Sequence, residues 1–260
     1  MNENSDAGSD LGAGTSSNSK STNIRGERLL ASAMLDGLAR QYGTDKGSQY
    51  HGYAEQYGRI LDDLRRGSKP KAVVEVGVCR KWEGNRHICP SLAMWRDWFT
   101  ASFAGRQGPA ALVVGLDKCD FGLNGENGIL TLVCDQGDAG HLAAARHALK
   151  KAFGLRGGVD LIVDNGVKET KTRLLTLKAL WPALRIGGAY IIENLCHNPE
   201  SEVKSLEMRP VVEAWAAGEI PEGLNDWRVE CKQIGSIEWV ESKAAGERSA
   251  VVLWKARDDF

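Results

Sequence analysis

Lys71-Ala-Val-Val-Glu-Val-Gly-Val78 is the stretch on which the reading of the fold turns. It is a short apolar run dominated by β-branched valine. One acid, Glu75, lies near its end, and a glycine, Gly77, stands at the turn. A run of this length and composition is a buried parallel strand that delivers the chain to a ligand at its carboxyl end. Downstream, strands and helices alternate. Lys81–Pro90 reads as an irregular polar loop. Ser91 reads as the N-cap of a helix carrying Leu92, Trp95, Trp98, Phe99 and Phe103. Strands follow at Ala111–Asp117, Ile129–Cys134, Val159–Val163 and Ala189–Ile192. Helices are predicted over Leu142–Phe153, Glu169–Leu184 (with Gly187 as its C-cap) and Val203–Ala217. Strand-helix alternation implies a parallel, doubly wound sheet. Trp227–Ile234, Ile237–Val240 and Ala250–Trp254 then read as strands without long helices between them, which implies antiparallel pairing at one edge.

Upstream of Lys71, residues 1–23 are Ser, Asn, Gly, Asp and Ala with a single leucine, too polar to offset ordering entropy, and read as a disordered tail. From Arg25 onward Leu29, Leu30, Met34, Leu35 and Leu38 recur at helical spacing, and Gly43 ends that helix. Tyr42-Gly-Thr-Asp-Lys-Gly-Ser-Gln-Tyr-His-Gly-Tyr53 is a glycine-punctuated loop loaded with Thr44, Asp45, Lys46, His51 and Tyr53, more hydrogen-bonding groups than a connector needs. A second helix carries Tyr57, Ile60, Leu61 and Leu64. The expected organisation is a tail (1–23) and one domain (24–260) whose first part (24–70) is a helical addition.

The totals narrow the function. The chain has 260 residues and a net charge of -1, with a pI near 6.5. No polybasic field is present to hold a nucleic-acid backbone, so nucleic-acid partners are not expected. No apolar run reaches the length of a membrane helix, and the N-terminus lacks a hydrophobic signal region; a cytoplasmic protein is expected. Six cysteines include no CxxC pair and read as reduced thiols. Cys79 and Cys89 flank His87 at a spacing that fits no standard zinc site, so no metal ligands are assigned there.

Four strand ends carry groups a nucleoside needs. The first ends Glu75-Val-Gly77, the second Gly115-Leu-Asp117, the third Asp135-Gln-Gly-Asp138 and the fourth Asp164-Asn-Gly166. Asp117 could accept both ribose hydroxyls, the role of the acid after the second strand in dinucleotide folds, and Asp135 or Gln136 could take the adenine amino group. Each acid alone could equally be a turn or cap residue.

These residues, with Tyr42-Gly-Thr-Asp-Lys46, His51-Gly-Tyr53, Trp95-Arg-Asp-Trp-Phe99, Trp181-Pro-Ala-Leu-Arg-Ile-Gly-Gly188 and Ile192-Glu-Asn-Leu195, resemble class I S-adenosylmethionine-dependent methyltransferases. The branch is that of macrolide-sugar O-methyltransferases. The resemblance implies a Rossmann-like, doubly wound, mostly parallel seven-stranded sheet with an antiparallel C-terminal hairpin. It implies S-adenosyl-L-methionine as cofactor, a small polar acceptor methylated on oxygen, and self-association in some members. On the cofactor side it places Thr44, Lys46, Glu75, Gly77, Asp117, Asp135, Gln136 and Asp164. Near the chemistry it places Lys168, Glu193 and His51. The chain departs from the family where the family binds magnesium and holds a catalytic histidine. Those positions are Asn165, Glu193, Asn194 and Lys168 here, two acids having become amides. Magnesium is therefore a doubtful cofactor, since it prefers carboxylate and water oxygen. Lys168 could be a base, an anion-binding group or a solvated residue. His197 could be a substitute base, and Trp82, in an insertion of about ten residues over Lys81–Pro90, could stack on a substrate. The alternative to an enzyme is a protein that kept the cofactor fold and lost turnover.

Overall fold

The structure is a computed structural model that describes residues 16–66, 69–78, 81–83, 86–102, 108, 110–154, 157–195, 207–243 and 247–256. In chain order it runs α1 (Ser16–Tyr42), α2 (Tyr53–Ile60), α3 (Asp62–Arg65), β1 (Lys71–Val76), β2 (Lys81–Glu83), β3 (Arg86–Ile88), α4 (Pro90–Thr100), β4 (Ala111–Asp117) and β5 (Ile129–Val133). Then come α5 (Ala139–Phe153), β6 (Val159–Asp164), α6 (Thr170–Leu180), β7 (Leu184–Ile192), α7 (Met208–Ala216), α8 (Arg228–Lys232), β8 (Ile234–Ser242) and β9 (Glu247–Lys255).

The main sheet has seven strands in the order β5-β4-β1-β6-β7-β9-β8. β1 lies near its centre and pairs in parallel with β4 and β6. β9 runs antiparallel to both β7 and β8. The expected parallel sheet with an antiparallel C-terminal pair is therefore present.

Strand periodicity sorts the core into two layers. Val74 and Val76 of β1, Val114 and Leu116 of β4, Ile162 of β6, and Tyr190 and Ile192 of β7 face the layer of α5, α6 and α7. Val73, Val113, Leu161, Val163, Ala189 and Ile191 face the layer of α1, α2 and α4. All six residues of β1 are buried, and each fully buried valine is worth about 1.5–3 kcal/mol relative to exposure. The helical segment before β1 builds the second layer: Leu35 and Ala39 are fully buried. A β-carbon on Gly58 would lie 2.6 Å from the Ala31 carbonyl oxygen, so α1 and α2 cross with no room for a side chain there.

Several local expectations are corrected. α1 begins at Ser16, inside the stretch expected to be a tail, because its residues continue the helical register of Arg25–Tyr42 without a breaking proline; residues 1–15 lie outside the description. Lys81–Ile88 contains a small antiparallel pair, Trp82 opposite His87, in place of an irregular loop. The helix after it starts at Pro90 with Cys89 in the cap position, since proline's fixed φ suits the first helical turn and makes Ser91 too late a cap. α6 stops at Leu180 and a single 3-10 turn, Trp181–Ala183, leads directly into β7. Gly187 therefore lies inside a strand, at φ 71°, and caps no helix. Arg228–Lys232 is a short helix, where a strand over Trp227–Ile234 was expected.

Candidate active site

Alternation along the strands also sorts the acids. Glu75, two residues after Val73, and Glu193, two after Ile191, fall on the α1/α2/α4 side; Asp164, two after Ile162, falls on the opposite side. The structure accordingly builds two polar clusters at the carboxyl ends of the central strands.

On the first side the loop after α1 turns Lys46 into the interior. The Lys46 backbone N–H donates to Thr44 Oγ1 at 3.2 Å, and Ala54 N–H donates to the Lys46 carbonyl at 2.8 Å. The ammonium lies 2.7 Å from Glu193 Oε2 and 3.4 Å from Glu75 Oε1, and all three side chains are essentially sealed from solvent. Tyr57 donates to Glu193 Oε1 at 3.1 Å. Burial works against the Lys46 charge, but Glu193 and Glu75 outweigh it and hold the amine above the usual lysine range. Burial pushes Glu75 up to about 7, against the pull of Lys46 and with the push of Glu193. Burial likewise raises Glu193, with Lys46 opposing.

On the second side Asp164 Oδ1 accepts from Gln136 Nε2 (3.2 Å) and Gly166 N–H (3.2 Å), and Oδ2 from Tyr190 (3.3 Å). Burial raises its pKa, with Arg173 opposing. Gln136 also donates to Thr176 Oγ1 (3.2 Å) and accepts from Val167 N–H (2.8 Å). Arg173 of α6 is 2% exposed and donates to the carbonyls of Val167 (3.1 Å), Asn194 (3.2 Å) and Glu193 (2.8 Å). Between the clusters, Asn194 Nδ2 donates to Asn165 Oδ1 at 2.7 Å. Asn194 holds φ 57°, a left-handed backbone that asparagine tolerates better than most residues.

The residues assigned from sequence thus divide. Asp117 is half-buried at the end of β4, where it accepts from Val78 N–H and Cys119 N–H at 3.0 Å each, beside the end of β1. Asp135 is exposed and turns its own loop by accepting from Gly137 N–H at 2.8 Å. Neither carboxylate is drawn into the buried clusters. Gly77 takes φ 79°, and its missing β-carbon would lie 2.4 Å from Gly166 Cα, so this glycine admits the Asn165–Gly166 loop. Thr44 and Lys46, expected beside the cofactor, are buried under the strand ends, and Gln136 is committed to the Asp164 network. In each case a buried acid takes the side chain: Lys46 bonds Glu193, and Gln136 bonds Asp164. Lys168 is exposed on the loop after β6. The His51 ring stacks on Tyr53 at 4.9 Å, and its Nδ1 lies 3.1 Å from Ser242 Oγ on β8. His197 and Cys79 lie outside the described residues, as do the side chains of Trp82 and His87. Arg173, Tyr57 and Tyr190 went unassigned; the parity of Tyr190 with Ile192 on β7 was the one available signal.

Comparison with known proteins places this geometry. No protein-family model matches the chain. It is 31% identical over 175 residues to 8-demethyl-8-alpha-L-rhamnosyl tetracenomycin-C 2'-O-methyltransferase of Streptomyces olivaceus, covering 65% of this chain and 41% of that protein. It is 30% identical over 167 residues to demethylmacrocin O-methyltransferase of Streptomyces fradiae, covering 62% of this chain and 36% of that protein. Over these spans the chain is similar to O-methyltransferases. It spans well under half the length of these curated relatives. A structure of the MycE methyltransferase from the mycinamycin biosynthetic pathway, in complex with Mg, SAH and mycinamycin VI, superposes with a TM-score of 0.60 at 23% identity, over 86% of this chain and 54% of that one. The shared fold is the class I methyltransferase sheet.

Proposed function

We propose that the chain binds S-adenosyl-L-methionine at the carboxyl ends of β1, β4 and β6 and methylates a hydroxyl of a small polar molecule, sugar-like or a secondary metabolite. The observation that carries this reading is the 31% identity to an O-methyltransferase over 175 residues. The strand ends fit the cofactor at its nucleoside end. Asp117 has lone pairs left for ribose hydroxyls after its two backbone bonds, and Asp135 is exposed beside it. When bound, the cofactor supplies an activated methyl group. The chain's part is to fix the acceptor oxygen in line with that methyl and to leave a path for the departing proton. Exposed Lys168 would meet an anionic group of the acceptor or take that proton. Glu193 acts as a positioning residue, holding the end of β7 against the Thr44–Lys46 loop through Lys46. No helix among the described residues is long and apolar enough to cross a membrane. A cytoplasmic location, and self-association through α1 with its exposed Leu29 and Leu30, belong to the same reading.

The test is calorimetric titration with S-adenosylmethionine and S-adenosylhomocysteine, followed by a radiolabelled methyl-transfer screen over glycosylated acceptors. Asp117→Ala should weaken cofactor binding at least about thirtyfold, the loss of two charge-assisted hydrogen bonds. No binding by the wild-type chain would refute the proposal. A second reading, cofactor binding without turnover, is motivated by the Asn165–Asn194 amide pair and the enclosed Glu193. Tight binding with no acceptor methylated would favour it.

A further inference from the structure

Relatives of this chain prepare the expectation of a divalent cation, since the MycE structure contains Mg, and the resemblance puts the ligands at Asn165, Glu193 and Asn194. Those three residues do not fit one. Glu193, the remaining acid, is 1% exposed and turned into the α1/α2/α4 layer, with one oxygen on Lys46 and the other on Tyr57. Asn165 and Asn194 satisfy each other at 2.7 Å. Two carboxylates that close would repel and need a cation between them. The two amides meet as donor and acceptor: the Asn194 N–H faces the Asn165 oxygen, and in this arrangement the two oxygens do not converge. The gap between the loops after β6 and β7 is spanned instead by a guanidinium. Arg173 is fully enclosed and reaches the carbonyls of Val167, Glu193 and Asn194, one on the first loop and two on the second. A fixed positive charge there also opposes a second cation.

We infer that Arg173 and the Asn165–Asn194 pair take the structural place of a divalent ion in cross-linking the loops after β6 and β7, while Lys46 occupies Glu193, so that this chain binds its nucleoside ligand without one. The inference rests on the proposed cofactor only in its second readout. The first readout is manganese binding to the chain alone, followed by electron paramagnetic resonance, with Mn²⁺ standing in for Mg²⁺. Wild type should show no saturable binding at concentrations up to about a millimolar, a range that covers ordinary magnesium sites. The double variant Asn165→Asp/Asn194→Asp should bind Mn²⁺ at least about tenfold more tightly than wild type, because it restores two hard oxygen ligands. The second readout is S-adenosylhomocysteine affinity after exhaustive chelation and again with added Mg²⁺, which should agree within about twofold. Saturable Mn²⁺ binding by wild type that is lost in Glu193→Gln would overturn the inference. A folded double variant that gains no affinity would overturn the role given to the amides. If S-adenosylhomocysteine does not bind at all, the proposed function falls while the manganese result still decides this point.

Discussion

Replacing Lys46 by methionine tests the buried cluster directly. Methionine keeps most of the bulk of the side chain and removes the charge together with its hydrogen bond to Glu193. The native ammonium lies 2.7 Å from Glu193 and 3.4 Å from Glu75, in a site with no solvent access. Removing one partner of such an arrangement typically costs about 3–5 kcal/mol, because the remaining charges are left uncompensated in low dielectric. The cell of three side chains has an outlet, however. Glu75 already titrates at about 7 because burial disfavours its charge, and without Lys46 both carboxyls would hold protons to higher pH still. A carboxyl with a raised folded-state pKa binds more protons folded than unfolded. Stability then falls as pH rises from the unfolded value toward the folded one, by about 1.4 kcal/mol per pH unit per group. The deficit of the variant should therefore be about 3–5 kcal/mol near pH 8 and smaller near pH 5.5, below the value of about 7 to which burial already pushes Glu75. Urea titration followed by tryptophan fluorescence measures it, the chain having eight tryptophans as reporters. Adding Glu193→Gln should recover part of the loss at the higher pH. A deficit under about 1 kcal/mol near pH 8, or one that does not shrink on acidification, would refute the account of Lys46 as the counter-charge of both acids.

Three further substitutions separate structural from ligand-facing roles. Gly77→Ala puts a β-carbon within 2.4 Å of Gly166 Cα in a left-handed conformation; it should cost about 2–4 kcal/mol by urea titration and displace the loop after β6. Arg173→Lys cannot span three carbonyls from a single nitrogen, so at least one buried carbonyl is orphaned and about 1–3 kcal/mol should be lost in the same assay. Lys168→Ala, at an exposed position, should leave stability within about 0.5 kcal/mol, so any fall in methyl transfer in that variant reports on substrate and not on folding.

The sheet was legible because its strands are near-continuous β-branched runs, and burial on both faces demands that composition. The elements misread are those where local propensity was overridden. Gly187-Gly188 resembles a helix stop, yet both residues lie within β7, and a β-carbon on Gly188 would meet the Asp160 carbonyl oxygen at 3.0 Å, so glycine is there for close strand packing. Trp227–Ile234 has strand-like residues, but Trp227 packs against Trp215 at 5.7 Å and the segment folds as a helix beneath α7. Among the polar residues, Asp117 and Asp135 were readable as acids at strand ends, the one half-buried and the other exposed. Lys46 and Gln136 were not, because a polar side chain next to a ligand-binding turn looks the same in sequence whether it points outward or is consumed by a buried acid. Arg173 looked like any arginine on a polar helix.

Parity is the sequence signal that would have resolved much of this. Once β1 and β7 are taken as buried strands, Glu75 shares a face with Val73, and Glu193 with Ile191, so both acids must converge on the α1/α2 layer and require a cation from it. The Thr44–Lys46 loop is the nearest polar segment of that layer, and Lys46 is its cation. The same count puts Asp164 on the other face, out of reach of Lys46, and so demands a separate set of partners, which Gln136, Tyr190 and Arg173 provide. Three acids that look in sequence like one ligand-binding row are thus split by the pleat into two buried clusters, one around Lys46 and the other beside Arg173. Asp117, half-buried at the end of β4, belongs to neither cluster and, among the described residues, accepts only from the backbone N–H groups of Val78 and Cys119. The loops after β6 and β7 are held together by the protein's own groups, through Arg173 and the Asn165–Asn194 pair.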